Sequence, residues 1–275
     1  MLDPEVQKKL IAEGREFLKS YSSTPYDDFE SDQQLKLPQP PLVKEPMTDR
    51  AFALPRNFQD LDIKSDFIDI ITERKSSRVY TQETISLLQL SFLLWATQGI
   101  KDIRGKSYAT LRTVPSGGAR HAFETYLLVQ NVEGLQSGAY HYLPLNHALE
   151  FLNPVDDLPS VISDSLMGQS WARKANVVFY WSFVPYRAEW RYGIWAHRVV
   201  LIDAGHVGQN LYLACAALGL GTCAVAAFDM ELCDRVFGLD GKEEYTIYTF
   251  PVGTISINDK KQEKVFYQFV EDEGL

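Results

Sequence analysis

The chain has 275 residues, of which 45% are hydrophobic and 23% are charged. This balance and length predict a globular protein with a sizeable core, built as one large domain or as one domain with an extension. The formal net charge is −9. Because an acidic surface repels a phosphate backbone, we expect no nucleic-acid partner, and an anionic ligand would need a local basic cluster.

The cysteine pattern argues against two further classes of protein. The chain has 3 cysteines, and none of them forms a C-x-x-C pair. An odd number without paired spacing predicts neither a disulfide framework nor a zinc site. We therefore expect buried free thiols, a cytoplasmic location and no metal.

One stretch without Asp, Glu, Lys or Arg, residues 205–228, is long enough to cross a bilayer. It contains His206 and is interrupted by Gly219-Leu220-Gly221, and polar groups of this kind are costly to bury in lipid. The N-terminus also lacks the apolar core of a signal peptide. A buried helix followed by a strand is predicted here, and no membrane association.

Residues 1–60 are predicted to form an extended N-terminal arm, and residues 61–275 the main domain. A short amphipathic helix is expected over Pro4–Lys19. The next stretch, Tyr21–Asn57, is rich in proline and polar residues. Proline removes hydrogen-bond donors and blocks helix formation, which favours an extended segment over a separate domain.

The main domain is predicted to begin with two helices. Ser65 is the expected N-cap of the first, and Ser86 with Gln89 forms a capping box at the start of the second, which ends near Gly99. The second helix is apolar nearly all round, which predicts a central position. The elements expected after it are strands at Thr125–Gln130 and Asn176–Phe183, a hairpin of Ala139–Leu143 and Ala148–Leu152, a long helix over Tyr192–Leu218, a strand at Thr222–Ala226, a helix from Asp229 to Val236, and strands at Tyr245–Phe250 and Lys264–Val270.

This order mixes helices and strands without a regular βαβ alternation. It predicts an α+β fold with a central, mostly antiparallel sheet flanked by helices. Two long apolar helices exceed what one small sheet can cover. A dimer that buries helix surface is therefore expected.

A short basic segment, Arg74-Lys75-Ser76-Ser77-Arg78, follows the first predicted helix. A phosphate dianion favours guanidinium groups and hydroxyl donors within one short stretch. In an extended chain Arg74, Ser76 and Arg78 lie on the same side. The alternative interpretation is a solvated basic loop.

Two later segments carry small residues that let a backbone approach a flat ligand. The first, Arg112–Arg120, contains Pro115-Ser116-Gly117-Gly118 but lacks the end of a P-loop and the spacing of a hydrolase elbow. The second, Gly219–Asp229, contains Ala226 and Ala227, which would leave backbone N–H groups open to a ligand edge. An ordinary turn and a tight helix-to-strand connection are the respective alternatives.

Taken in order, these segments resemble the nitroreductase superfamily of flavoenzymes. The closer resemblance is to its SagB-type dehydrogenase branch, whose members include azoline oxidases of peptide natural-product clusters. Each motif alone is unspecific, whereas the ordered set, from about Ile63 to Gly253, is more specific. The matching strings are Arg74–Arg78, Leu93–Gly99, Pro115–Gly118, Asp203–Leu211, Gly219–Gly221 and Pro251–Gly253.

The resemblance implies FMN bound at a homodimer interface with shared active sites. Arg74 and Ser76, beside Lys75, would hold the phosphate and ribityl end of the cofactor. Arg78 would lie near the pyrimidine edge of the ring. A fixed cation there stabilises the negative charge that reduction places on the flavin and raises the reduction potential.

The same resemblance implies contacts from three other parts of the chain. Backbone N–H groups near Ala226 and Ala227 would face flavin N5. A basic residue after Gly253 would reach the phosphate, and Lys261 or the neighbouring Lys260 is the candidate. The residues expected to contact the ring from the other subunit are Pro115, Ser116, Gly117 and Gly118.

The chain departs from the azoline oxidases at one point. Those enzymes have a Lys-Tyr pair before the long helix, where this chain has Arg191-Tyr192. Arginine keeps its proton at physiological pH and does not act as a general base. Tyr192 remains a candidate catalytic residue, either as a proton donor or as a stacking partner for the substrate.

These observations predict an FMN-dependent oxidoreductase that transfers hydride between NADH or NADPH and a small organic acceptor such as a nitroaromatic or a quinone. A first alternative is a SagB-type dehydrogenase that oxidises a heterocycle in a modified peptide. A second alternative is a flavin-binding carrier or sensor without turnover.

Overall fold

The computed structural model describes residues 3–19, 29–256, 264–265 and 267–274. Its strands are β1 (Ala51–Ala53), β2 (Ile100–Arg104), β3 (Ala109–Arg112), β4 (Phe123–Val129), β5 (Gly138–Leu143), β6 (Ala148–Asn153), β7 (Val177–Phe183), β8 (Leu220–Thr222) and β9 (Tyr245–Thr254). Its helices are α1 (Pro4–Phe17), α2 (Phe67–Glu73), α3 (Leu87–Gln98), α4 (Leu158–Ser165), α5 (Pro185–Tyr192), α6 (Ala196–Ala217), α7 (Met230–Phe237) and α8 (Gln268–Asp272).

A central sheet has the strand order β1-β6-β5-β4-β7-β9-β8, and every neighbouring pair is antiparallel. Every residue of β4 and of β7 is buried, because helices cover both faces of the sheet at its centre. Continuous apolar runs are typical of strands buried in this way. The predicted α+β fold with a mostly antiparallel sheet is therefore confirmed.

The two faces of the sheet have different helices. On one face α3 and α6 pack through Leu94 and Val207 against Trp181 of β7. On the other face α4 and α7 pack through Ile162 and Phe237 against the opposite side of the central sheet. The capping box of α3 forms as predicted, and Leu90, Leu93 and Leu94 are fully buried.

Two features of the long uncharged stretch match the sequence interpretation. It forms the end of α6 and then β8, as a helix followed by a strand. Among the described residues, no helix combines the length and apolar character needed to cross a membrane.

All three cysteines are buried and free.

Several local predictions were wrong. The N-cap of α2 is Asp66, whose carboxylate accepts from the N–H groups of Ile68 and Asp69, so Ser65 does not cap this helix. The predicted strand at Lys264–Val270 is helical over Gln268–Asp272, where the Gln268 amide donates to Glu271 and Asp272 instead of pairing with a strand. The strand expected at Thr222–Ala226 lies earlier, at Leu220–Thr222. The β2–β3 hairpin was not predicted.

Within the N-terminal arm, the residues from 29 onward lie against the main domain. Its last strand, β1, pairs with β6 at the edge of the central sheet. Two buried carboxylates hold the segment before it. Glu124 accepts from the Lys44 N–H at 2.8 Å, and Glu150 accepts from the N–H groups of Met47 at 2.9 Å and Thr48 at 2.8 Å.

A histidine joins these two carboxylates inside the sheet. His141 Nδ1 lies 2.7 Å from Glu150 and Nε2 lies 3.3 Å from Glu124, and all three side chains are buried. Arg187 pairs with Glu124 at 2.5 Å. Burial alone would lower the pKa of His141, but its hydrogen bonds to Glu124 and Glu150 outweigh burial and raise that pKa. Protonated His141 is therefore favoured between the two carboxylates that anchor the arm.

His141→Gln should reduce the free energy of unfolding by about 3–5 kcal/mol at mildly acidic pH, because it leaves the buried Glu150 carboxylate without its cation, while Glu124 keeps Arg187. Since the folded-state pKa of His141 is raised, its stabilisation is complete below about 6.5 and is lost as pH rises through the folded value. Urea unfolding at a series of pH values should show the difference from wild type narrowing in the alkaline range.

The matched control is His197→Gln, because His197 also contacts a carboxylate, Glu189, but at the surface and at 2.9 Å. This exposed pair should contribute no more than about 1 kcal/mol. Equal losses in the two variants, or a loss in His141→Gln that does not change with pH, would contradict the role assigned to His141.

Candidate active site

The basic segment leaves α2 at Arg74, its C-cap residue, and runs alongside β8. Ser76 forms a parallel bridge with Thr222, and the N–H of Ser77 donates to the Thr222 carbonyl at 2.9 Å. Ser77 is buried against the sheet, whereas Arg74 and Ser76 are partly exposed. Pairing with β8 therefore fixes which side chains of the segment face outward.

Tyr212 of α6 connects the basic segment with the segment that follows β8. Its hydroxyl lies 2.8 Å from Ser76 Oγ and accepts from the N–H of Ala224, also at 2.8 Å. The guanidinium of Arg74 lies over the Tyr212 ring, 5.2 Å from its centroid. Two of the three predicted segments therefore meet at one aromatic hydroxyl, which sequence reasoning did not identify.

A small cavity of about 70 Å³ opens beside this junction. Its lining includes both cations at the start of the basic segment, Arg74 and Lys75, and the hydroxyl-bearing Ser77. Glu73 also lines it, but this carboxylate is paired with Lys64 at 2.5 Å. With that charge compensated, the cavity is basic within a protein that is acidic overall.

Arg78 lies further along the segment and between two aromatic rings. Its guanidinium carbon is 5.9 Å from the centroid of Trp171 and 5.9 Å from that of Tyr267, whose hydroxyl accepts a hydrogen bond from it. Ala226 and Ala227, in the segment after β8, are exposed. Lys261 and its alternative Lys260 lie outside the described residues.

The Pro115–Gly118 loop is fixed to the first half of α6 by Asp203. This buried carboxylate accepts from Ser116 Oγ at 2.7 Å and from the N–H of Gly117 at 3.0 Å. Burial raises the pKa of Asp203, although the hydrogen bonds from Ser116 and Gly117 oppose that effect. Asp203 therefore acts as an anchor for the loop.

Both glycines of this loop are required by their neighbours. A Cβ on Gly117 would lie 2.5 Å from Val199 Cγ1. Gly118 has a φ of +55°, and a Cβ there would lie 2.3 Å from Arg191 Nε and 2.9 Å from the Tyr192 hydroxyl. The Arg191-Tyr192 pair therefore packs directly on the loop, with no room for a larger side chain between them.

The loop and the basic segment lie at different places on α6. Asp203 and Tyr212 are nine positions apart, which is about 14 Å along the helix axis and half a turn around it. Within one copy of the chain, the Pro115–Gly118 loop and the Arg74–Tyr212 junction are therefore far apart.

A metal centre and two of the histidines are poor candidates for catalysis in the described part of the chain. Within residues 3–19, 29–256, 264–265 and 267–274, no group of three His, Cys, Asp or Glu side chains is placed to hold a metal ion. Burial, with Arg112 nearby, lowers the pKa of His121 to about 2, so this imidazole is neutral. The Nε2 atom of His197 lies at hydrogen-bond distance, 2.9 Å, from Glu189 Oε1.

Comparison with known proteins agrees with these motifs. A family model, "Nitroreductase family", matches residues 71–254. The chain is 31% identical over 185 residues to the nitroreductase-family protein MJ1384 of Methanocaldococcus jannaschii, a match that covers 67% of this chain and 89% of that protein.

Two peptide-processing proteins are similar over a shorter stretch. The trifolitoxin-processing protein TfxB of Rhizobium leguminosarum is 28% identical over 51% of this chain and 39% of its own length. The microcin B17-processing protein McbC of Escherichia coli is 31% identical over 47% of this chain and 49% of its own length. The chain thus matches less than half of either protein.

Solved structures with the same fold cover most of the chain. A nitroreductase-family structure from Ralstonia eutropha covers 80% of this chain and 95% of its own, with a TM-score of 0.62 and 24% identity. The E. coli microcin synthetase McbBCD complex covers 93% and 95% respectively, with a TM-score of 0.56 and 19% identity. The motif resemblance is thereby confirmed, and the chain belongs to the nitroreductase family of oxidoreductases.

Proposed function

We propose that this chain binds FMN and reduces a small organic acceptor, such as a nitroaromatic or a quinone, at the expense of NADH or NADPH. The observation that carries the proposal is the junction at Tyr212, which brings the cations of one segment and the backbone N–H groups of another to one edge of the sheet. When bound, FMN supplies the chemistry by accepting hydride at N5 and passing it on.

The basic cavity fits the phosphate end of such a cofactor. Arg74 and Lys75 supply charge, and Glu73 does not oppose them because Lys64 is paired with it. A dianion is favoured by cations that are already fixed in place, and the Tyr212 ring restricts the Arg74 guanidinium. In this proposal Ser76, whose hydroxyl contacts Tyr212, lies at the ribityl side of the cavity.

Arg78 is assigned to the pyrimidine edge of the ring and the backbone near Ala226 and Ala227 to N5. The two aromatic rings beside Arg78 hold its guanidinium. A cation held there favours the reduced flavin, which carries extra negative charge on that edge. Small side chains at Ala226 and Ala227 keep the backbone accessible.

A homodimer with shared active sites is part of the proposal. Because the Pro115–Gly118 loop and the Arg74 cavity are far apart within one copy, the loop would contact the cofactor that the other copy binds. An exposed apolar surface on α2 and α6 supports such an interface, with Ile68 75% and Ile202 58% exposed. Helices α2 and α6 contact each other, and exposed apolar side chains on adjoining helices are typical of protein–protein contacts.

Dehydrogenation of a heterocycle in a modified peptide is the second candidate function. It is favoured by the similarity to the peptide-processing proteins TfxB and McbC. Arg191 weighs against it, because a guanidinium does not remove a proton from carbon at physiological pH. A thiazoline-containing peptide that bleaches bound flavin in the absence of NAD(P)H would favour this candidate over the first.

Purified protein incubated with FMN and then desalted should be yellow, and NADH or NADPH should bleach it under anaerobic conditions. Arg74→Ala should weaken FMN binding about 10- to 100-fold, because it removes a charge-assisted phosphate contact. Arg78→Ala should retain FMN but lower its reduction potential, since the cation beside the ring is lost. Spectrophotometric titration and a redox titration measure both effects.

Arg235→Ala on α7 is the control for loss of an exposed arginine, and it should match wild type in both measurements. Colourless wild-type protein would refute the cofactor assignment. A yellow protein that neither nucleotide bleaches would support a flavin carrier instead. Equal FMN loss in Arg74→Ala and Arg78→Ala, with unchanged potential, would refute the division of roles.

A further inference from the structure

Tyr108 lies at the end of the β2–β3 turn, beside the Arg191-Tyr192 pair. Its side chain is 41% exposed. Its hydroxyl accepts from Arg191 Nη1 at 3.0 Å and from Gln33 Nε2 of the N-terminal arm at 3.1 Å. The arm, the hairpin and α5 thus converge on one phenol.

The orientation of Gln33 follows from its partners. Arg191 only donates hydrogen bonds, so the Gln33 carbonyl must face it, and that contact is 3.0 Å. The amide nitrogen of Gln33 is then directed to Tyr108. A phenol oxygen accepts two hydrogen bonds and donates one. With both acceptor positions filled, the proton of Tyr108 points away from Gln33 and Arg191.

The proton of the Tyr108 hydroxyl is therefore available to a bound molecule that can accept it. Within residues 3–19, 29–256, 264–265 and 267–274, Tyr108 donates no hydrogen bond to another residue. Tyr186, on the same helix as Arg191, shows the opposite arrangement. Its hydroxyl already donates to Asp32 of the arm at 2.8 Å.

The charges around Tyr108 favour release of its proton. The hydrogen bond from Gln33 has the largest effect and lowers the pKa of Tyr108 below its ordinary value. Burial opposes it, whereas Arg191 and Arg120 lower that pKa further. Arg120 lies over the ring, 5.1 Å from its centroid. The other charged residues of the hairpin are Lys101, Asp102, Arg104, Lys106 and Arg112, and Asp102 is the one acidic side chain among them.

The same arginine connects Tyr108 to the loop. Arg191 contacts the Tyr108 hydroxyl, and its Nε lies 2.3 Å from where a Cβ on Gly118 would be. Arg120 also links Tyr108 to the loop, because it donates hydrogen bonds to the backbone carbonyls of Tyr108 and Gly118 at 3.0 Å each. Tyr108 and the Pro115–Gly118 loop therefore form one wall.

We propose that Tyr108 donates a proton to the acceptor as it is reduced, a role that rests on the proposed function. A quinone would gain one hydride from the reduced flavin and the phenolic proton of Tyr108, giving a hydroquinone and leaving the flavin oxidised. Gln33 and Arg191 stabilise the tyrosinate until solvent returns the proton, and NAD(P)H supplies the electrons.

Stopped-flow measurement of the two half-reactions tests this role. Tyr108→Phe should leave flavin bleaching by NAD(P)H unchanged and slow reoxidation by p-benzoquinone about 100-fold or more, the usual effect of losing a general acid. Because the donor must be protonated, wild-type reoxidation should slow as pH rises through the Tyr108 pKa. Tyr108→Phe should lack that pH dependence.

The matched control is Tyr186→Phe. It removes a phenol from the same helix as Arg191, but the proton of that phenol is already donated to Asp32, so the variant should behave as wild type. A second readout needs no flavin. The ultraviolet difference spectrum between wild type and Tyr108→Phe should show a tyrosinate forming below the ordinary value of about 10.

Two results would overturn the proposal while leaving the proposed function intact. One is reoxidation of Tyr108→Phe at the wild-type rate, and the other is ionisation of Tyr108 at or above its ordinary pKa. Wild-type flavin that neither nucleotide bleaches would instead overturn the proposed function, and this proton transfer with it.

Discussion

Helix α6 positions both parts of the candidate site through two side chains. Asp203 accepts from Ser116 and Gly117 in the first half of the helix, and Tyr212 contacts Ser76 and Ala224 near its end. Because the helix is rigid and apolar on its inner face, these contacts hold the two parts at a fixed separation. In the proposed function each part forms half of a cofactor site, and the proposal therefore requires two copies of the chain.

The N-terminal arm contributes to the same region. Buried Glu124 and Glu150 bind its backbone near Lys44 and Thr48, with His141 between them. Earlier in the arm, Gln33 reaches Arg191 and Tyr108. Anchoring the arm to the sheet therefore also places Gln33 beside Tyr108, the proposed proton donor, so the stability of the arm and the proposed chemistry are linked.

Local patterns in the sequence predicted local structure well. The Ser86–Gln89 capping box and the apolar runs of β4 and β7 depend on neighbours within a few residues or on simple burial. The end of the chain was mispredicted as a strand, because β-prone residues near Val265 and Tyr267 do not reveal whether a partner strand is present. The β2–β3 hairpin was missed because its turn contains only one glycine between mostly charged residues.

The candidate site was only partly visible in the sequence for a similar reason. Motif order identified Arg74, Ser76 and the Pro115–Gly118 loop. The contacts of Tyr212, Gln33 and Tyr108 join residues that are far apart in the chain, so spacing gave no signal for them. Asp203 lay inside a matching string, but its function as the loop anchor required the structure.

The central claim is that each cofactor site is shared by two copies of the chain, and mixing two defective variants tests it most directly. Arg74→Ala impairs the cavity, whereas Gly118→Val impairs the loop through a positive φ and a clash with Arg191. If the sites are shared, re-associated mixtures contain heterodimers with one intact site, and bound FMN should recover to about one quarter of the wild-type level. Recovery no greater than the average of the two separate variants would contradict a shared site.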